Sequence, residues 1–178
     1  MPASSPRRRH ANACSSARSV IALRKYRASI QSDWIDFNGH VRDAYYTLVA
    51  SYAIDDFMDR VGLDAAYRAR TQCTLYTLEL HIHYLREVKQ SDDLSVVSQV
   101  LDVDRKRLHL ACRMECTRLG TEAAATADFM LMHVHQGEQV RAASFPDDVL
   151  ARLTELKSAA ATEERFDPLS RTIAIRRS

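Results

Sequence analysis

The stretch of sequence that decides the fold runs from Asp33 to Gly62 and reads DWIDFNGHVRDAYYTLVASYAIDDFMDRVG. Its first half is a polar turn around one glycine, DFNGHV at residues 36–41. Residues 44–54 then continue for eleven positions without a charge. A helix that is apolar almost all round is expected to be buried on every side. We therefore predict a central helix from about Asp43 to Val61, ended by Gly62.

The polar turn makes the start of this helix a candidate site for chemistry. The first backbone N–H groups of a helix have no partner within the helix, and its positive dipole end favours negative charge. Donors from Gly39 to Asp43 would stabilise a developing negative charge, with the Asp36 carboxylate close by. The same residues also fit a purely structural role, in which Asp43 caps the helix and Asp36 closes an Asx-turn. Residue types alone leave both interpretations open.

Strand patterns fill most of the remaining chain. Alternation in residues 74–87 places Tyr76, Leu78, Leu80, Ile82 and Tyr84 on one face and the polar stripe Glu79, His81 and His83 on the other. Further strands are expected at 25–30, 94–103, 108–117 and 122–134, and a helix with an apolar stripe follows Pro146. This order predicts an α+β fold, with a five-stranded antiparallel sheet wrapped around one long helix and a C-terminal helix.

Sequence motifs add a resemblance. The pattern Asp36-x-x-Gly39-His40-Val41, followed by Tyr45-Tyr46, resembles the signature of hotdog-fold acyl-CoA thioesterases of the 4-hydroxybenzoyl-CoA thioesterase type. The run WIDFNGHVRDAYY, then GLDAAYRART, LYTLELHIHYLREV and KRLHL, resembles the narrower group of betainyl-CoA thioesterases of carnitine breakdown. The likeness covers roughly residues 24–155. The pair Arg42-Asp43 departs from the Asn or Glu frequent there, which leaves the roles of these two side chains open but not those of their backbone amides.

This resemblance implies a hotdog fold, an acyl-CoA substrate, no metal or other cofactor, and a homodimer or dimer of dimers with sites at the subunit interface. The catalytic candidates are Asp36, Asn38, Gly39, His40 and Asp43. Asp36 would act as the nucleophile or as the general base on water, and the sequence does not separate the two. Asn38 would orient the water or acyl group, while His40 is a base or a structural hydrogen-bonding group.

A betainyl substrate would carry a quaternary ammonium, which aromatic faces recognise. The substrate-binding candidates are Trp34, Phe37, Tyr45, Tyr46 and Glu79. Basic residues that would suit the CoA phosphates are Arg42, Arg86, Lys89, Arg105, Lys106 and Arg107. Glu79, His81 and His83 also have the alternation of a metal site, but a solvated or interfacial stripe is the more common outcome.

Charge and composition exclude several classes of protein. Residues 1–19 carry four arginines and no acid, and without them the balance is 21 basic against 23 acidic residues. The body of the chain is therefore not basic, and no nucleic-acid partner is expected. No apolar run approaches the ~18 residues that a membrane span requires. Four cysteines without a disulfide framework suit a reducing cytoplasm.

The expected organisation is a disordered leader at 1–19, a single thioesterase domain at 20–160 and a mobile tail at 161–178. The leader would be a targeting segment or the product of a misplaced start. Two other classes of function remain open. A hotdog hydratase or dehydratase would use a His–Asp pair on a bound acyl chain, and a catalytically silent domain would only bind acyl-CoA.

Overall fold

The computed structural model describes residues 25–161, so the expected leader and nearly all of the expected tail lie outside the described residues. Besides two single-turn 3-10 helices, at Ser32–Trp34 and Thr117–Leu119, three α-helices and six strands make up this part of the chain. In order they are β1 (Tyr26–Ala28), α1 (Asp43–Val61), α2 (Ala65–Thr71), β2 (Cys73–Tyr84), β3 (Leu94–Val103), β4 (Arg107–Glu115), β5 (Ala123–Gln136), β6 (Val140–Ala142) and α3 (Asp147–Ala160).

The predicted central helix is confirmed at both ends. Helix α1 begins at Asp43 after an extended Arg42, and it ends at Gly62, whose φ of 92° is the left-handed conformation that glycine adopts without strain. One expectation was wrong, because α1 is not buried on every side. Ser51 is exposed and Tyr52 is 43% exposed, so one stripe of the α1 surface is left uncovered by packing.

The strands form one antiparallel sheet in the order β1-β3-β4-β5-β2, and β6 extends it by pairing with the end of β5. Apolar side chains of β4 and β5 alternate toward α1. The register pairs Leu108 with Leu131 and Leu110 with Phe129, and all four side chains belong to the buried core. Burying a side chain of this size contributes about 1.5–3 kcal/mol, so this face of the sheet holds α1 in place.

A bulge in β2 corrects the predicted face assignment of that strand. Thr77 pairs with Leu131 and Glu79 pairs with Met130, which leaves Leu78 as an extra residue on β2. The bulge reverses the alternation, so that Tyr76 lies on the same face as Glu79, not with Leu80. Leu78 itself is 56% exposed. Local alternation does not reveal a bulge, because the apolar pattern continues through it.

The C-terminal elements complete the fold. Pro146 stands immediately before α3, as predicted, and Val149, Leu153 and Leu156 bury the apolar stripe of that helix. Strand β6 was not predicted, because its sequence Val-Arg-Ala carries no strand pattern of its own. In the part of the chain that the structure describes, no helix combines the length and apolarity needed to cross a membrane.

The three described cysteines, Cys73, Cys112 and Cys116, are buried and form no disulfide. Burial raises the pKa of the Cys112 thiol to about 12. A thiol with so high a pKa carries almost no thiolate at neutral pH and is a poor nucleophile. Cys112 is therefore a core residue.

Candidate active site

The loop before α1 is a tight turn closed by its own backbone. The Asp36 N–H donates to the His40 carbonyl at 2.8 Å, and the Gly39 N–H donates to the Asp36 carbonyl at 3.0 Å. Gly39 takes a φ of 80°, which L side chains rarely adopt. An isolated bridge between Ile35 and Val41 brings the two sides of the turn together. The local sequence thus folds into a compact loop that projects its polar side chains from the end of α1.

The Asp36 carboxylate is oriented by this loop. Its Oδ1 atom accepts hydrogen bonds from the Asn38 N–H at 2.8 Å and the His40 N–H at 3.1 Å. Its Oδ2 atom accepts from the Asn38 side-chain amide at 3.3 Å. The His40 N–H, followed by the other donors of the loop, lowers the pKa of Asp36. Asp36 is therefore a fixed, ionised carboxylate, which is the state that a general base or a nucleophile requires.

The predicted set of free backbone donors must be corrected. The N–H groups of residues 39–42 all donate within the protein: Gly39 and His40 to Asp36, Val41 to Val88, and Arg42 to Trp34. These groups were expected to be free, but Asp36 and the carbonyls of Trp34 and Val88 already accept them. Among residues 25–161, no acceptor faces the N–H of Asp43, the first residue of α1. The dipole end of the helix therefore offers its open donor at Asp43.

The four predicted aromatic residues have three different surroundings. Trp34 and Tyr45 stack on each other, with ring centroids 5.0 Å apart and planes 12° apart. Phe37 is 93% exposed at the tip of the loop. Tyr46 is buried, and its hydroxyl bonds to the backbone at Arg86 and Val88. Phe37 is the aromatic side chain of this set that stands open next to Asp36.

Tyr84, which the sequence analysis did not name as a candidate, lies beside the start of α1. It closes β2, is half exposed, and donates from its hydroxyl to the Asp43 carbonyl at 3.3 Å. Its ring meets Tyr46 edge-on, with centroids 5.4 Å apart. The alternation of β2 correctly placed Tyr84 on the face that carries Leu80 and Ile82. Nothing in its spacing from residue 43, however, indicated that the strand ends beside the start of α1.

Glu79 lies apart from the loop within the chain. Its carboxylate pairs with His81 at 3.0 Å, on the sheet face opposite to Leu80 and the core. A second pair on this face, His109 and Asp128, is buried with 2.6 Å between Nε2 and Oδ1. Within the described residues, these groups do not converge into a cluster that could hold a metal ion.

The basic candidates are also divided. Arg86 pairs with Glu122, and Arg107 pairs with Asp104 in the turn between β3 and β4. Arg105 and Lys106 occupy that same turn, where their carbonyls accept from Phe145 and His133. Arg42 and Lys89 lie at the loop itself, since Lys89 bridges to His40 and Arg42 precedes α1. These two are the basic residues that the structure brings to the Asp36 loop.

An antiparallel sheet curled around one long helix, with a carboxylate loop at the helix start, defines a hotdog-fold protein. Comparison with known proteins agrees. A model of the thioesterase-like superfamily matches residues 30–153. The chain is 41% identical over 137 residues to the betainyl-CoA thioesterase of Pseudomonas aeruginosa, covering 77% of this chain and 85% of that protein.

Two solved structures are similar as well. A Staphylococcus aureus protein in complex with CoA superposes with a TM-score of 0.76 and 29% identity, covering 85% of this chain and 94% of that one. A proposed thioesterase of Pseudomonas putida KT2440 superposes with a TM-score of 0.71 and 38% identity, covering 88% and 99%. The chain belongs to the thioesterase-like superfamily, and it is a thioester hydrolase.

Proposed function

We propose that this protein hydrolyses a small acyl-CoA thioester, betainyl-CoA, to betaine and CoA at the Asp36 loop. One observation carries the site assignment: an ionised carboxylate is fixed by two backbone N–H groups beside an open N–H at the start of α1. The similarity to a betainyl-CoA thioesterase over most of both chains supports the choice of substrate.

In the proposed reaction the thioester carbonyl oxygen lies at the Asp43 N–H. Negative charge develops on this oxygen as the carbonyl carbon becomes tetrahedral, and one such donor contributes roughly 3–4 kcal/mol in comparable sites. Asp36 removes a proton from the attacking water, or it attacks the carbon itself to give an acyl anhydride that water hydrolyses after CoA has left. Collapse of the intermediate breaks the C–S bond, and CoA leaves as the thiolate and is then protonated.

Asn38 and His40 serve this carboxylate in the proposal. The Asn38 amide contacts Asp36 Oδ2 and lies exposed, where it can also orient the water or the acyl group. His40 contributes its backbone N–H to Asp36 and bridges to Lys89, which supports a structural role for this residue. Gly39 provides the positive φ that the turn needs.

The quaternary ammonium of the acyl group would be recognised by aromatic faces. Phe37 and Tyr84 are the exposed aromatic residues beside the loop, and the stacked pair of Trp34 and Tyr45 forms a partly buried wall. A desolvated cation–π contact contributes about 2 kcal/mol, which corresponds to roughly thirtyfold in specificity. Glu79 contacts the substrate in this proposal only if a second subunit presents it.

We also propose a homodimer that pairs through the β2 edge. In the described chain, β2 pairs with β5 on one side, and it exposes Leu78 and Tyr84. A twelve-residue edge strand with exposed apolar side chains is a ready template for pairing with a second copy. A monomeric mass at micromolar concentration would contradict the dimer.

The unpaired cysteines are consistent with a cytoplasmic location.

Release of free thiol from a panel of acyl-CoAs tests the activity. We expect turnover of betainyl-CoA, and loss of at least about a hundredfold in kcat for Asp36→Asn with the fold and CoA binding retained. A variant that keeps more than about a tenth of wild-type turnover would remove Asp36 from catalysis. Water addition to an enoyl-CoA without thiol release would identify a hydratase. Binding without any turnover would identify an acyl-CoA-binding domain.

The charge of the acyl group is tested with a matched substrate. Replacing the trimethylammonium by a tert-butyl group keeps the shape and removes the charge, so the ratio of kcat/KM for the two thioesters isolates the charge effect. We expect the cationic substrate to be preferred by roughly thirtyfold. Equal values would identify a general short-chain thioesterase.

A further inference from the structure

The buried hydroxyl of Tyr46 ties the first turn of α1 to the chain that follows β2. It accepts the Val88 N–H at 3.0 Å and donates to the Arg86 carbonyl at 3.4 Å. Both hydrogen-bonding directions of the hydroxyl are therefore in use. Burial raises the pKa of Tyr46, so the group stays protonated at neutral pH. The side chain is also 4% exposed, which leaves it no open face for a substrate.

The segment that Tyr46 holds carries the Asp36 loop. The Val41 N–H donates to the Val88 carbonyl at 2.8 Å, and His40 forms an antiparallel bridge with Lys89. His40 forms two hydrogen bonds with Asp36. Its N–H donates to Asp36 Oδ1 at 3.1 Å, and its carbonyl accepts the Asp36 N–H at 2.8 Å. Three hydrogen bonds, joined by the backbone of Val88 and by the Val41–His40 peptide, therefore connect the tyrosine hydroxyl to the carboxylate.

The same segment is held on its far side by an ion pair. Arg118 donates to the Glu87 carbonyl at 2.7 Å and to the Asp92 carboxylate at 2.8 Å. Asp92 in turn accepts the Lys89 N–H at 2.9 Å, and its side chain is 3% exposed. Residues 86–92 are thus fixed from two sides, by Tyr46 and by Arg118. An element fixed in this way can set the position of the exposed loop that pairs with it.

We propose that Tyr46 is a positioning residue for thioester hydrolysis: through Val88 and Val41, its hydroxyl holds the His40 N–H against the Asp36 carboxylate. The proposal rests on the catalytic role proposed above for Asp36. It replaces the expectation that Tyr46 binds the acyl group. A displacement of about 1 Å at a catalytic group can cost a hundredfold in rate, so one hydroxyl remote from the substrate suffices to affect turnover.

The test compares two buried tyrosines. Tyr46→Phe keeps the ring and removes the hydroxyl, and Tyr67→Phe does the same at the other end of α1, where the hydroxyl bonds to His133 at 2.9 Å. We expect Tyr46→Phe to lower kcat by about tenfold or more with KM within about threefold, because the loss is in transition-state geometry. Tyr67→Phe should lower the melting temperature about as much as Tyr46→Phe does, and it should leave kcat unchanged.

The pH profile gives a readout that mere destabilisation does not move. The His40 N–H is the largest cause of the lowered pKa of Asp36, and the charged or titratable groups around the loop are His40, Arg42, Asp43, Glu87 and Lys89. If the Tyr46 hydroxyl positions the His40 N–H, removing that hydroxyl raises the pKa of Asp36. The acid limb of kcat/KM then moves to higher pH in Tyr46→Phe and stays in place in Tyr67→Phe.

Arg118→Lys provides a second variant, which loosens the same segment and keeps the charge. It should lower kcat and move the acid limb in the same direction as Tyr46→Phe. The proposal is overturned if Tyr46→Phe and Arg118→Lys both keep the wild-type limb, or if Tyr67→Phe loses kcat equally. Asp36→Asn separates this result from the function itself. An active Asp36→Asn enzyme refutes the proposed function, whereas an inactive one beside a fully active Tyr46→Phe enzyme refutes the positioning role alone.

Discussion

The two ends of helix α1 have similar residues in different surroundings. Each end has a glycine with positive φ, Gly39 at 80° and Gly62 at 92°, and each has a buried tyrosine hydroxyl nearby. At the start of the helix, the hydroxyl of Tyr46 holds the backbone beside the partly exposed carboxylate of Asp36. Beyond the helix end, the hydroxyl of Tyr67 donates to a buried histidine, His133. The first end leaves its polar loop exposed to solvent, and the second closes the core.

This difference separates residues that affect rate from residues that affect stability. At the closed end, His133 Nδ1–H donates to the Ala143 carbonyl, and its ring packs 4.8 Å from that of Phe145. The Tyr67 hydroxyl and both ring nitrogens of His133 are thus satisfied inside the protein. At the open end, the loop satisfies its own backbone and leaves side chains of Asn38 and Phe37 in solvent. We therefore expect substitutions at the two ends to have different measurable effects.

The largest expected effect is on stability at the closed end. Leu153 of α3 is fully buried in the core that covers α1. Leu153→Ala should reduce the free energy of unfolding by about 3 kcal/mol, through lost burial and the cavity left behind. Urea unfolding measures this loss, and kcat at 25 °C per folded molecule should not change. A fall in kcat would show that the two ends are coupled.

A matched pair of glycine substitutions sharpens the comparison. An added Cβ meets nothing within 4 Å at Gly39, and at Gly62 it meets the flexible end of Arg152 at 2.7 Å. Both alanine variants should lose about 1–2 kcal/mol of stability, because an L residue is strained at positive φ. Only Gly39→Ala should also lower kcat, by about tenfold, because its turn orients Asp36. Equal kcat in the two variants would contradict the division between the ends.

A smaller effect is expected at the cap of α2. The Asp64 carboxylate accepts the Tyr67 N–H at 2.7 Å. Asp64→Ala should lower the free energy of unfolding by about 1 kcal/mol, as is typical for loss of an N-cap. Thermal melts give the size of the loss, with Asp64→Asn as the control that keeps a capping oxygen. Activity of the folded enzyme should be the same in all three proteins.

The smallest effect concerns pH. Burial lowers the pKa of His133 below its ordinary value of 6.5. The unfolded chain therefore binds a proton more readily than the folded chain, and this histidine makes stability fall as pH drops below about 6.5. Melting temperatures at pH 7.5 and 5.5 should differ less in His133→Gln than in the wild type. An unchanged difference would show that His133 does not contribute to the acid sensitivity.

The sequence predicted the long elements well. The bounds of α1 and β3 agree with those expected, and the core face of β4 carries Leu108, Leu110 and Met114 as its alternation indicated. These elements bury a regular apolar pattern, which the chain itself displays. The bulge at Leu78 and the short strand β6 were not predictable, because each depends on the register of a partner strand, β5.

The candidate site was predicted in part. The motif drew attention to Asp36, Asn38 and His40, and the structure assembles these three residues into one hydrogen-bonded turn. Tyr84 was absent from the expected set, and Tyr46 was expected to contact the acyl group. Their positions could not be predicted for one reason: distance along the chain does not reveal that the end of β2 lies beside the start of α1.

By itself, the sequence determined a helix with a charge-free stretch at residues 44–54 and a carboxylate turn before it. Residue type and spacing suffice for helix periodicity, for a glycine turn and for an Asx-type hydrogen bond. Only the tertiary structure decided which groups are available for chemistry. The backbone donors of residues 39–42 are consumed by partners such as Trp34 and Val88, and the Asp43 N–H is left open. A hydrogen-bond donor can serve a substrate only if the folded chain has not already used it, and that depends on contacts between distant residues.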